Sequence, residues 1–142
     1  MKRNRRRRKA FTLVELLVVI VILSMLAALA GPKLFSYVGK SKRELAKPTL
    51  RYVEDALERF ALDCGRYPDE SEGLEVLVVM PEDLEGKWNG PYLKRSQLND
   101  PWGNPIVYVQ EGTYNPGSYD LISYGADGQE GGEGDNADIA ND

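Results

Sequence analysis

Residues 11–30 read FTLVELLVVIVILSMLAALA, and no other feature narrows the possible folds as much. Only Thr12, Glu15 and Ser24 are polar there, and only Glu15 carries charge. As a helix at about 1.5 Å per residue the run is roughly 30 Å long, the thickness of a bilayer core. Lys2, Arg3, Arg5, Arg6, Arg7, Arg8 and Lys9 precede it, with no acid among them. That order predicts insertion with the N-terminus in the cytoplasm and the rest of the chain across the membrane.

Charge and hydropathy divide the chain in the same way. The mean hydropathy of −0.41 describes a mostly water-compatible chain of 142 residues, enough for one ordinary domain. Without the basic head, 11 basic residues face 22 acidic ones. Beyond Arg95 every charge is acidic. A Gly-rich acidic tail has two readings, a solvated end or a site for a hard cation. The absence of histidine excludes Ser-His-Asp and Cys-His catalysis and His-containing zinc sites. The single cysteine, Cys64, can form no internal disulfide and fits a buried apolar position.

A secretory signal peptide is one alternative for the N-terminus, with cleavage after Ala28-Leu29-Ala30. Glu15 argues against it. A carboxylate inside the span costs about 2.5–3.5 kcal/mol on insertion scales, and a discarded segment gains nothing from it. A nucleic-acid-binding arm explains the Arg run but not the apolar run beside it.

After Gly31-Pro32 the pattern stays helical. Ala46, Leu50, Val53, Leu57, Phe60, Ala61 and Cys64 recur every three or four residues as one apolar stripe. Pro32 and Pro48 each remove a backbone donor and predict a kink or loosened turn. Gly65 is the expected C-cap. Residues 72–79 predict a short helix, and Ile106–Val109 and Tyr119–Tyr124 an antiparallel hairpin across a TYNPG turn. Two strands are marginal alone, so they must pack on the stripe. Trp88, Tyr92, Trp102, Tyr108 and Tyr124 are the expected aromatic cover. No spacing of carboxylates suggests an acid/base pair, so no enzyme is expected.

The junction Lys9-Ala10-Phe11-Thr12-Leu13-Val14-Glu15 resembles the processing motif of type IV pilins and pseudopilins. The resemblance implies cleavage between Ala10 and Phe11 by a membrane prepilin peptidase, which then methylates the amine of Phe11. The family usually has Gly where Ala10 stands. The resemblance gives Glu15 an assembly role, pairing with the Phe11 ammonium of a neighbouring subunit. A paired charge is tolerated in an apolar setting, and such a pair sets register.

Arg66-Tyr67-Pro68, Gly90-Pro91-Tyr92-Leu93, Asp100-Pro101-Trp102-Gly103-Asn104-Pro105 and Ser123-Tyr124-Gly125-Ala126-Asp127-Gly128 are similar to the major pseudopilin family of type II secretion. The implied fold is α+β and pilin-like. A long bent N-terminal α-helix, transmembrane in one half and amphipathic in the other, packs on a small antiparallel β-sheet with a C-terminal calcium loop. The divisions are a leader at 1–10, an assembly helix at 11–31, an amphipathic helix at 32–65 and a globular periplasmic region at 66–142, with the loop at 124–138. The implied role is a periplasmic pseudopilus subunit that polymerises through its N-terminal helix to drive export of folded proteins. A type IV pilin or competence pseudopilin is the alternative. Implied partners are further copies, minor pseudopilins, the peptidase/methyltransferase, an inner-membrane assembly platform and lipid before assembly, with no nucleic acid.

The family also implies calcium as cofactor. Asp127, Glu130, Glu133, Asp135 and Asp138 share the tail with glycines that let carbonyls turn inward. The expected ligands are the Asp127 and Asp135 side chains with the carbonyls of Tyr124 and Gln129; Glu133 and Asp138 stand in reserve.

Overall fold

A computed structural model describes residues 11–141, and within it the side chains of all but positions 32, 35 and 36. The chain forms two compact units, divided between Tyr37 and Val38. One helix, α1 (Leu13–Cys64), contributes to both.

In the first unit, Leu13–Gly31 is a 19-residue span of mean hydropathy 2.9 with none of its apolar window buried. Phe11, Leu13 and Val14 are 70–86% exposed. The one interior hydroxyl, Ser24 Oγ, donates back to the Ile20 carbonyl at 2.8 Å, so it presents no unpaired donor to an apolar surrounding.

The second unit is built on the other half of α1. Ala46, Leu50, Val53, Leu57, Phe60 and Cys64 are buried, as the stripe predicts, and Ala56 joins them. Ala61 is half-buried at the stripe's edge. Full burial of side chains such as Leu57 and Phe60 contributes about 1.5–3 kcal/mol each. Gly65, at φ 79°, ends the helix with its N–H on the Ala61 carbonyl at 2.8 Å.

The helix continues through Pro48, so the proline does not end it there. Pro48 and Glu44 are exposed, so water can satisfy the Glu44 carbonyl that the ring deprives of its donor. Thr49 Oγ1 donates to the Leu45 carbonyl at 2.7 Å in the same turn. Ala46 and Leu50, buried on either side, hold the turn against the domain.

The sheet has three strands, not the predicted two. β1 (Val107–Val109), β2 (Asp120–Ser123) and β3 (Ile139–Ala140) lie in that order, all antiparallel. Tyr108 pairs with Leu121, and Ser123 with Ile139. β3 is two residues among Asp, Ala and Asn, too short for a periodic signal. All four residues of β2 are buried because it is the central strand. Residues 72–79 give only a 3-10 helix, Gly73–Leu77, which buries Leu74, Val76 and Leu77.

Phe60, Tyr92 and Trp88 form an edge-to-face series, with ring centroids 5.9 and 5.6 Å apart. Trp88 Nε1 donates to the Val76 carbonyl at 2.8 Å, and Tyr92 Oη to Asp63 at 2.7 Å. Trp102 also packs on the core, and Tyr108 is part of it. Tyr124 does not: it falls just beyond β2, half-buried, and Tyr119 takes the expected core place.

Candidate assembly helix and cation loop

At the N-terminal end the sequence Thr12-Leu13-Val14-Glu15 forms a capping box. Thr12 N–H and Oγ1 donate to Glu15 Oε2 at 2.9 and 3.0 Å, and Glu15 N–H donates to Thr12 Oγ1 at 3.2 Å. Free N–H groups at a helix start need acceptors, and this arrangement supplies two within one turn. Glu15 in a lone protomer is therefore engaged by its own helix. Phe11 is exposed just before the helix. Ala10 lies outside the described residues.

Residues 124–138 form a loop between β2 and β3. Its base joins two of the motif blocks. Ser123 Oγ donates to Asp100 Oδ2 at 2.6 Å, while Asp100 Oδ1 accepts from the N–H groups of Trp102 and Asn104 at 3.0 and 2.8 Å. Asn104 Nδ2 donates to the Gly125 carbonyl at 2.7 Å. Gly125 itself has φ 65°, and a Cβ there would come within 2.7 Å of the Asn136 backbone. Ala126 N–H bonds the Asp135 carbonyl at 2.9 Å across the loop.

The expected ligands occupy different parts of the loop. Asp127 Oδ1 accepts from Gln129 N–H at 3.2 Å, a local turn. The Asp135 carboxylate rests against Gly39 of α1, where a Cβ would overlap it. Tyr124 is half-buried at the loop's start; burial, then the negative charges of Glu130 and Asp138, push its hydroxyl pKa up. Asp138 holds the notable oxygen: Oδ2 accepts from Gly131 N–H at 2.9 Å, while Oδ1 is buried with no hydrogen-bond partner. An orphaned buried carboxylate oxygen beside Gly-rich backbone suits a hard cation in donor chemistry. No three acidic side chains converge into a metal-binding group among the described residues.

Sequence reasoning missed three groups here. Arg43 donates from Nη1 to the Gly134 carbonyl and so ties the loop to α1. Gly39 leaves room for the Asp135 carboxylate. Asn141 joins three elements: its N–H donates to the Leu121 carbonyl at 3.0 Å, its Oδ1 accepts from Leu121 N–H at 2.8 Å, and its Nδ2 donates to Glu54 at 2.8 Å. A polar residue in a polar tail gives no periodic signal, and only the absence of a side chain at Gly39 hinted at a close approach.

Two family models match the chain. Type II secretion system protein G covers residues 33–142, and the prokaryotic N-terminal methylation motif covers residues 5–31. The chain is 44% identical over 141 residues to a type II secretion system core protein G of Pseudomonas aeruginosa, covering 97% of each. With the core protein G of Vibrio cholerae it shares 41% over 138 residues, 96% of this chain and 92% of that one. The crystal structure of the major pseudopilin from the type 2 secretion system of enterohaemorrhagic Escherichia coli superposes with a TM-score of 0.56 at 31% identity, over 72% of this chain and 87% of the other. The folded domain, the exposed apolar helix and these matches agree: the chain belongs to the type II secretion system protein G family.

Proposed function

We propose that this chain is a major pseudopilin, a structural subunit that polymerises through its N-terminal helix into a periplasmic pseudopilus and thereby drives export of folded proteins. The observation that carries the reading is the wholly exposed apolar span Leu13–Gly31 joined by one helix to a folded domain. Such a span requires lipid before assembly and other helices after it.

In this reading the basic leader stays cytoplasmic and the domain at 66–142 lies in the periplasm. A prepilin peptidase cuts between Ala10 and Phe11 and methylates Phe11. Glu15 then exchanges its own Thr12 cap for the Phe11 ammonium of the next copy. The capping box supports this two-state role, since it keeps the carboxylate hydrogen-bonded while no neighbour is present. Minor pseudopilins and an inner-membrane assembly platform are the further partners. The chain acts as substrate of the peptidase and carries out no catalysis.

Calcium is the proposed ligand of loop 124–138, with Asp127 and Asp135 and the carbonyls of Tyr124 and Gln129 as its ligands and the unpartnered oxygen of Asp138 as a further donor; these side chains do not converge in the structure, so binding would draw the loop together. A bound divalent cation would offset the loop's carboxylate charge. The chain's own residues supply the frame: Asn104 fixes Gly125, and Arg43 with Gly39 seats the far side on α1.

Intact mass and N-terminal sequencing of protein from native membranes test the reading. N-methyl-Phe11 at the terminus is the expected result. A terminus at Gly31 would mean cleavage after Ala30 and would exclude a filament built on this helix. Glu15→Ala is expected to insert normally and to yield about tenfold less filament, given the cost of an unpaired buried ammonium; normal yield would refute the pairing.

A further inference from the structure

A groove of about 960 Å³ opens on the domain between the Arg66–Asp69 segment and the turn at 110–118. Three tyrosines floor it. Tyr67 and Tyr119 have ring centroids 5.1 Å apart, and Tyr119 and Tyr108 5.7 Å. Tyr108 and Tyr119 are buried beneath the opening, while Tyr67 stays 44% exposed. The walls are fastened rather than loose. Glu70 N–H donates to Gln110 Oε1 at 3.2 Å, and Gln110 N–H donates to Glu70 Oε2 at 2.8 Å.

The rim is acidic. Asp69 and Glu111 line it, with Glu70 in the clasp behind them. Burial, then the negative charge of Glu54 on α1, push the Tyr119 hydroxyl pKa up. The one cation present, Arg66, is already held by Glu72 in two bonds at 2.5 and 2.8 Å and by Asp83 at 3.2 Å. An electron-rich aromatic floor under a negative rim selects basic side chains, which gain from both cation–π contact and charge.

The same chain carries a surface of the opposite sign. Between residues 33 and 51 stand Lys33, Lys40, Lys42, Arg43, Lys47 and Arg51 against Glu44 alone, whereas residues 52–142 hold five basic and twenty acidic side chains. At about 100° per residue, Lys40, Lys47 and Arg51 fall within roughly 40° of arc on α1 and span roughly 16 Å along it. All three are exposed.

We propose that the tyrosine groove of one copy receives the basic ridge Lys40–Lys47–Arg51 of a second copy. Groove and ridge are different residues of one chain, so a head-to-tail contact leaves a free groove and a free ridge at each end and can propagate. The proposal rests on the filament reading above and adds which surfaces meet outside the apolar helices.

Charge exchange in the full-length, membrane-processed chain tests it. Glu111→Lys with Ser118→Lys reverses the rim, and Lys40→Glu with Arg51→Glu reverses the ridge. All four positions are exposed, and a thermal melt checks that each variant folds. Each pair alone is expected to lower sedimentable filament about tenfold, the sum of a few exposed ion pairs, and the quadruple variant to recover most of it. Unaltered filament yield from either pair, or a quadruple variant no better than its worse parent, overturns the contact while leaving the filament reading intact. Normal filament with lost export in the rim variant also overturns it, and assigns the groove to a basic segment of an exported protein. No filament from the unaltered chain would refute both.

Discussion

Asp120 shows how a single buried charge can organise a surface turn. It is fully buried in the central strand, yet it accepts from the N–H groups of Thr113, Tyr114 and Asn115 at 2.6, 2.8 and 2.9 Å. Burial pushes its carboxyl pKa up, and those backbone donors outweigh it, so the net shift is below the ordinary Asp value. Asp120→Ala leaves three donors without an acceptor and is expected to cost about 3 kcal/mol or more in a denaturant melt. Glu72 is lowered too, first by its hydrogen bonds from Arg66. Both groups have depressed folded-state values. Their stabilisation is thus complete above the ordinary carboxylate range and is lost as pH falls through about 4 and below. Thermal melts should hold steady from pH 7 to about 5 and drop below about pH 4. Asp120→Asn should flatten that drop, having lost the titrating group.

Among the elements, α1 was the most legible, since its stripe at 46–64 repeats with helical period over several turns and nothing competes with it. β1 and β2 were legible from β-branched and aromatic runs around a Pro-Gly turn. β3 was not, because it is stabilised by partners far along the chain, Leu121 and Glu54 through Asn141, rather than by its own composition. The helix accommodates Pro48 because an exposed carbonyl turns to water at little cost. At the loop, the acidic content was plain, but the docking of Asp135 on Gly39 and the orphaned oxygen of Asp138 are tertiary facts. Gly125→Ala combines a left-handed backbone with a Cβ crowding Asn136, and should lower stability by about 2 kcal/mol or more and loosen the loop first. Hydrogen exchange at Ala126, whose N–H crosses the loop, reads that loosening.

At the scale of the molecule, the domain is a helix with one face covered, and the loop is the part with least apolar content to hold it. Millimolar calcium should raise the melting temperature by several degrees through preferential binding to the folded state, and Asp138→Ala should abolish much of that rise. Magnesium, which prefers tight octahedral coordination with several waters, should substitute poorly. An equal response of wild type and Asp138→Ala would place the cation elsewhere.

The bond from Asn141 to Glu54 joins residues 87 positions apart. Contacts of such separation carry the full loop-closure entropy before they return any stability, so they form late and slow the folding of domains that depend on them. Here the same residue also bonds the central strand at Leu121. The bonds of residue 141 are then expected among the last to form. A chain threading through a membrane would lack these bonds, and be more open to proteases around them, until that residue had crossed.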